Sequence, residues 1–402
     1  MKIIFLCRLF HQFRGGLESY TYEMAQALAK RGHHVHIICE DKGNFYRHHL
    51  GAGIEVHAIP YNEDPFPGFW KIDRFIPLQD IFYSRKVAQK IQELIDRVGV
   101  DIVEAPDVQE QGFWYSQHKR TAFFLRLHGY FYMREGETLE NSPKNLPLRE
   151  QFFWWIERSS IFKADGVAAV SSDFAEFVRR FWNLDGKKIE VIHNAVDTAI
   201  FHGASERSEQ REQRELAVLF VGRIEPKKGI KVLARAIPIV LKEFPNVKFY
   251  FAGRDTHLEN SSEMASEYIL RHAPPNNVVF LGELPTPELI PYYQKIAIGV
   301  FPSLYEPFGL VALESMACGC ATIVSQSGGL SDIIEHERDG LLVAPGNPFE
   351  LAQAIKRFLN DNQLRERCCV QAIEKVRTQF TLDELVDRTL FMYEQAIHNY
   401  RH

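Results

Sequence analysis

EPFGLVALE, residues 306–314, sets a glutamate at each end of a stretch that is apolar apart from one proline and one glycine. Pro307 and Gly309 disfavour helix ahead of Leu310. LVALESMAC, from Leu310 onward, is made of good helix formers, so the spacing predicts a helix that starts at Gly309 or Leu310. Glu306 then stands on a loop before a helix N-terminus, with Glu314 about one turn inside. The amides of Phe308, Gly309 and Leu310 project from that end and suit an anion, and the two carboxylates are placed to accept hydroxyl hydrogen bonds on either side of it. The segment alone leaves two readings open: a cradle for a molecule that carries both phosphate and hydroxyls, or two solvent-facing glutamates.

Working outward, IGVFPS precedes this helix and ATIVSQS follows it, giving a strand, loop, helix, strand order that recurs along the chain. The first half offers KIIFLC, HVHIICE, EVHAIP, DIVEAP, AFFLRLHG, GVAAVSS and KIEVIHNAV. The second restarts with LAVLFVG, VKFYFAG and NVVFLG and ends with GLLVAPG. Alternation of this kind is the signature of parallel sheets covered by helices, here two doubly wound α/β domains. Between the halves, DTAIFHGASERSEQREQREL is charged and serine-rich and reads as linker. The expected domains are residues 1–197, residues 198–380, and a terminal helix over 381–402 that packs back on the first domain. Ligands of such folds bind at the carboxyl ends of the strands, and every motif below falls on a loop after a strand.

Composition narrows the function. At 402 residues, with a formal charge of −5 and 46% hydrophobic residues, the chain reads as a soluble two-domain enzyme without the basic balance of a nucleic-acid binder. Its six cysteines contain no C-x-x-C pair, which fits neither a disulfide framework nor a zinc site and points to a reduced, cytoplasmic compartment. The opening apolar run is interrupted by Arg8 and His11 and reads as a first strand rather than a signal peptide.

Three further loops carry chemistry. FRGGLESY (13–20) gives Gly15 and Gly16 just before a helix, which lets backbone approach a phosphate or sugar, or merely makes a tight turn. VGRIEPKKGI (221–230) brings Arg223 and Lys228, a guanidinium and an ammonium suited to diphosphate oxygens. LRLHGY (125–130) ends a strand on His128, able to bond a hydroxyl or to act in acid/base work. SQSGGLSDII (325–334) borders the same region. No D-x-D, Walker A, H-E-x-x-H or G-x-S-x-G sequence is present, so the expected site has no metal and no cofactor.

Taken in order, GGLESY, HG at 128–129, ADGVAAVSS, VIHNAVDTAIF, GRIEPKKGI, PSLYEPFGLVALESMACGCATIVS and DGLLVAPG resemble the retaining glycosyltransferases of family 4 over nearly the whole chain. The resemblance implies the GT-B architecture, two Rossmann-like domains facing across a cleft, and transfer of a sugar from a nucleotide-sugar, UDP- or GDP-linked, to an acceptor hydroxyl. It implies that Arg223 and Lys228 bind the donor diphosphate together with Gly15, Gly16 and the amides of Phe308, Gly309 and Leu310. Glu314 then contacts the ribose, Glu306 lies beside the transferred sugar, and His128 touches that sugar. The chain departs from the family pattern at His193 and Ala195, where proline and glycine are usual.

The acceptor is expected to be a sugar, a lipid-linked molecule or a small molecule, met by first-domain cations interleaved with aromatics: Arg14, Arg126 and Arg134. LREQFFWWIERSSIFK (148–163) reads either as a helix of the first-domain core or as an interfacial helix making peripheral membrane contact. Other functional readings are a GT-B protein that binds nucleotide-sugars without transfer, and a sugar-nucleotide epimerase.

Overall fold

Apolar runs that are too short for helices and buried on both faces pair side by side, and in this chain they build two wholly parallel sheets. The computed structural model describes residues 1–10, 15–41, 50–61, 70–107, 111–129, 147–203, 214–258 and 261–402. Unit 1 is formed by Met1–His193 with Leu382–His402, and unit 2 by Asn194–Thr381.

In unit 1 the elements are β1 (Lys2–Leu6), α1 (Gly16–Lys30), β2 (His34–Glu40), β3 (Ile54–Ile59), α2 (Trp70–Asp73), α3 (Leu78–Val98), β4 (Ile102–Pro106), α4 (Phe113–Gln117), β5 (Ala122–Leu127), α5 (Leu148–Lys163), β6 (Gly166–Ala169), α6 (Ser172–Trp182) and β7 (Glu190–Val191). Unit 2 continues with β8 (Glu215–Val221), α7 (Ile230–Leu241), β9 (Phe249–Ala252), α8 (Ala265–His272), β10 (Val278–Gly282), α9 (Thr286–Lys295), β11 (Ile296–Phe301), α10 (Leu310–Ala317), β12 (Ala321–Ser325), α11 (Leu330–Ile333), β13 (Leu341–Val343), α12 (Pro348–Asn360) and α13 (Asn362–Gln379). The last helix, α14 (Leu382–Arg401), returns to unit 1.

The sheet of unit 1 runs β3-β2-β1-β4-β5-β6-β7, and that of unit 2 runs β10-β9-β8-β11-β12-β13. Each order therefore reverses once, beside the first strand of its unit. The central strands β4, β5, β11 and β12 are buried along their whole length. Such a reversal opens a crevice beyond the strands' carboxyl ends, between β1 and β4 in one unit and between β8 and β11 in the other.

The stripe Leu385, Val386, Thr389, Tyr393 and Ala396 of α14 is buried, and the helix lies against α1, β5 and β6. A buried polar cluster fixes it there. The hydroxyls of Tyr20, at 2.7 Å, and of Tyr393 both donate to the Glu104 carboxylate. Arg126 sits 3.4 Å from Glu104 and donates to the Thr389 hydroxyl at 2.7 Å. At the surface, Arg31, just past the C-terminal end of α1, pairs with Asp383 at 2.8 Å.

The α5 segment forms its predicted helix and buries Phe153, Ile156 and Ile161, while Trp154 donates to the Phe181 carbonyl at 3.3 Å. Trp155 stays half-exposed with its ring against Phe113. No helix among the described residues is long and apolar enough to cross a membrane.

Candidate active site

The unit 2 crevice is flanked by the loops that leave β8 and β11, and both carry residues singled out in the sequence. After β8 come Arg223 and a 3-10 turn, Pro226–Lys228, closed by Gly229 at φ 74°. After β11, Ser303 to Gly309 lead into α10, with Gly309 as N-cap at φ 107°. The two loops are bound together. The Leu304 amide donates to the Lys227 carbonyl at 2.9 Å, and a Cβ on Gly229 would fall 1.8 Å from the Pro302 carbonyl oxygen. A residue with a side chain fits neither that φ nor that approach. From the other flank, the Gly329 amide donates to the Glu306 carbonyl at 2.8 Å, and the Ser327 hydroxyl to the Leu304 carbonyl at 2.7 Å.

On this frame, Lys228 forms a short ion pair with Glu306, and the Ser303 hydroxyl reaches the same carboxylate oxygen at 3.4 Å. Arg223 is largely exposed and pairs with Glu225 at 3.0 Å. Phe308 is buried, with its ring 6.3 Å from that of Phe380. No side chain caps α10. Glu314, partly buried one turn along, accepts the Tyr293 hydroxyl at 3.0 Å. Burial pushes its carboxyl up to about 7, and the tyrosine bond pulls the other way. Two cations, an uncapped helix end and two carboxylates of different character thus share one end of the unit 2 sheet.

In unit 1, Gly15 is the extended N-cap of α1 and Gly16 its first residue. Glu18 folds back over this end: one of its oxygens lies 2.6 Å from where a Cβ on Gly15 would stand. A carboxylate therefore already stands beside the glycine that the resemblance places at the diphosphate. One turn on, the Tyr20 ring packs 4.6 Å from the His128 ring, and the His128 amide donates to Asp107 at 2.9 Å. Burial, with the Arg126 charge added, drives the imidazolium of His128 well below its ordinary value. The ring is neutral at physiological pH and carries no standing acid proton.

Arg126 corrects the sequence reading. Expected at an acceptor site, it is fully buried inside β5, committed to Glu104 and Thr389, and out of reach of any ligand. Arg14 and Arg134, its expected companions, lie outside the described residues. The sequence reading also missed Tyr293 and Ser303, the partners of Glu314 and Glu306. Tyr293 stands in no motif and only the packing of α9 brings it in, whereas Ser303 sits inside PSLYEPFGLVALESMACGCATIVS, three residues before Glu306, without having been singled out there. Glu104 had a local signal, a lone carboxylate inside the apolar run DIVEAP.

Comparison with known proteins finds relatives over nearly the whole chain. The model of Glycosyltransferase Family 4 covers residues 14–200, and that of Glycosyl transferases group 1 covers residues 203–375. The chain is 33% identical over 397 residues to an uncharacterized glycosyltransferase of Methanocaldococcus jannaschii, covering 95% of each. It is 28% identical over 409 residues to the D-inositol 3-phosphate glycosyltransferase of Corynebacterium glutamicum, covering 96% of this chain and 93% of the relative. Among solved structures, sucrose-phosphate synthase from Thermosynechococcus elongatus superposes with a TM-score of 0.79 at 22% identity over 98% of both chains. HepE of Anabaena, in complex with UDP-glucose, gives 0.72 at 22% identity over 98% of this chain and 99% of that one. With two family models spanning nearly all of it and a third of its residues shared with a full-length relative, the chain belongs to the family 4 glycosyltransferases of GT-B architecture.

Proposed function

We propose that this glycosyltransferase takes its sugar from a nucleotide-sugar, with the diphosphate held by protein groups alone, and passes it to an acceptor hydroxyl with the anomeric configuration retained. The observation that carries the reading is the Lys228–Glu306 pair, set between Arg223 and the uncapped end of α10 at the unit 2 switch point. In the free protein the ammonium neutralises Glu306. A donor diphosphate gives Lys228 a stronger anionic partner, and Glu306 is then released to accept sugar hydroxyls and to support positive charge developing at the anomeric carbon. Arg223 adds a guanidinium for the departing diphosphate, and Glu314 takes the ribose hydroxyls. His128, as a neutral ring, serves a hydroxyl of the transferred sugar. A leaving phosphate oxygen is the base that accepts the acceptor's proton, as the family resemblance implies, so no protein nucleophile is assigned. The UDP-glucose complex of the Anabaena neighbour favours a uridine donor.

The test is thermal stabilisation of the purified protein by UDP, GDP, ADP and their glucose and mannose conjugates, with EDTA present throughout. A ligand at about 100 times its Kd adds roughly 2.7 kcal/mol to the state it binds. A clear shift with one base names the donor, and its loss in Lys228→Ala locates the site. No shift with EDTA, followed by a shift once Mg²⁺ is restored, refutes metal-free binding. No shift under either condition refutes the donor site itself.

A further inference from the structure

The edge of the unit 1 sheet carries a side-chain group that sugar transfer does not use. β3 is the edge strand, and its register against β2 sets Glu55 opposite His36 and His57 opposite Ile38. Residues two apart on a strand return to one face, so His36, Glu55 and His57 meet on the same side of the sheet. His36 Nδ1 and His57 Nε2 are 3.1 Å apart, and Glu55 Oε2 lies 3.7 Å from the first and 3.9 Å from the second. The centre of a triangle with these sides is about 2.1 Å from every corner, the length of a zinc bond to imidazole or carboxylate. These three are a mutually close metal-ligand set among the described residues.

We propose that His36, Glu55 and His57 bind one divalent transition-metal ion of the zinc type, with water as a fourth ligand, clipping the edge strand to its neighbour. His36 is almost fully buried and its ring is fixed by packing, whereas Glu55 is exposed and free to rotate by the few tenths of an ångström that a fourth ligand requires. Each neutral ring carries a single proton. Shifting that proton to the outer ring nitrogen frees the inward lone pair with no net proton release. Two imidazoles and one carboxylate select zinc, nickel or copper over magnesium or calcium. The neighbouring charges oppose binding: Arg97 of α3 lies 3.8 Å from Glu55, and Lys90, Lys2 and His34 also face the cluster. The ion takes over Arg97's place as partner to the carboxylate.

The experiment uses the full chain, stripped with a chelator and then titrated with Zn²⁺, Co²⁺ or Mg²⁺. Expected are one Zn²⁺ bound per chain, a rise in Tm with Zn²⁺ but not Mg²⁺, and intense visible bands from four-coordinate Co²⁺. His57→Ala and Glu55→Gln should each weaken Zn²⁺ binding by about tenfold or more. Because Glu55 is exposed, Glu55→Gln leaves the fold intact and keeps the test decisive if His57→Ala fails to fold. Titrations that are the same for wild type and Glu55→Gln, or no saturable binding at all, overturn the proposal and leave an imidazole–imidazole hydrogen bond in its place. Nucleotide-induced shifts in EDTA are unaffected by Glu55→Gln, so failure here is separable from failure of the donor site.

Discussion

Glu306 and Glu314 are the same side chain in two different settings, and each setting makes a prediction. The Glu314 carboxyl rises from 4.5 to about 7 on folding because burial disfavours its charge. The linked stability is complete below about 4.5 and is lost as pH rises through 7. Wild-type Tm should therefore fall between pH 5 and pH 8 relative to that of Glu314→Gln, and parallel profiles would refute the burial effect. Glu306 is held by Lys228. Lys228→Met should weaken UDP binding about 10- to 100-fold by calorimetry, the worth of one charge-assisted contact. Glu306→Gln frees the ammonium, so it should bind UDP no more weakly and yet lose about 100-fold or more in transfer rate. Both glutamates were legible because proline, glycine and a helix-forming run bracket them at fixed spacing. Tyr293 was not: it lies 21 residues upstream of its partner, and no local pattern marks which of two adjacent tyrosines turns inward.

At the level of elements, the glycine that lets the β8 loop touch the β11 loop is a sensitive point. Gly229→Ala combines a positive φ with a contact to backbone that cannot yield, and should cost about 1–3 kcal/mol or more in urea unfolding while loosening the Lys228 loop. In unit 1, Arg126→Met leaves Glu104 buried without its cation and should cost about 3–5 kcal/mol. Adding Glu104→Leu removes the stranded charge but also the acceptor of the Tyr20 and Tyr393 hydroxyls, so the double variant should cost less than the two single losses added, a coupling that an acceptor-binding arginine would not show. The apolar runs of the sequence correspond to the strands, since a strand buried on both faces needs nothing more than continuous hydrophobicity and a turn at each end. The same double burial hid Arg126. With no alternation to separate an inner face from an outer one, a cation near a strand end reads as a loop residue.

Over the whole molecule, Arg223, Lys228, Glu306, Glu314 and the α10 end, on which the proposed donor site rests, all lie within Asn194–Thr381, whereas Gly15 and Gly16 lie in unit 1. The unit 2 segment expressed alone should therefore fold and still show UDP-dependent stabilisation. Removing 382–402 should have the opposite effect on unit 1. It uncovers the faces of α1, β5 and β6 that Leu385, Val386, Tyr393 and Ala396 cover, and strips Glu104 of a hydroxyl. Aggregation on expression, read as loss of soluble protein, is the expected outcome. The twofold strand-and-helix rhythm and the serine-rich break made two domains legible. The return of the last helix was expected only because its apolar stripe needed a partner.

That return has a consequence during synthesis. Unit 1 is made from both ends of the chain, so its first 193 residues emerge without the helix that closes them. Roughly 190 residues of unit 2 come next, and at about 5–20 residues per second they occupy the ribosome for roughly 10–40 s. Throughout that interval the nascent sheet waits with one flank uncovered and a carboxylate short of a partner. The half of the protein that begins first is therefore finished last.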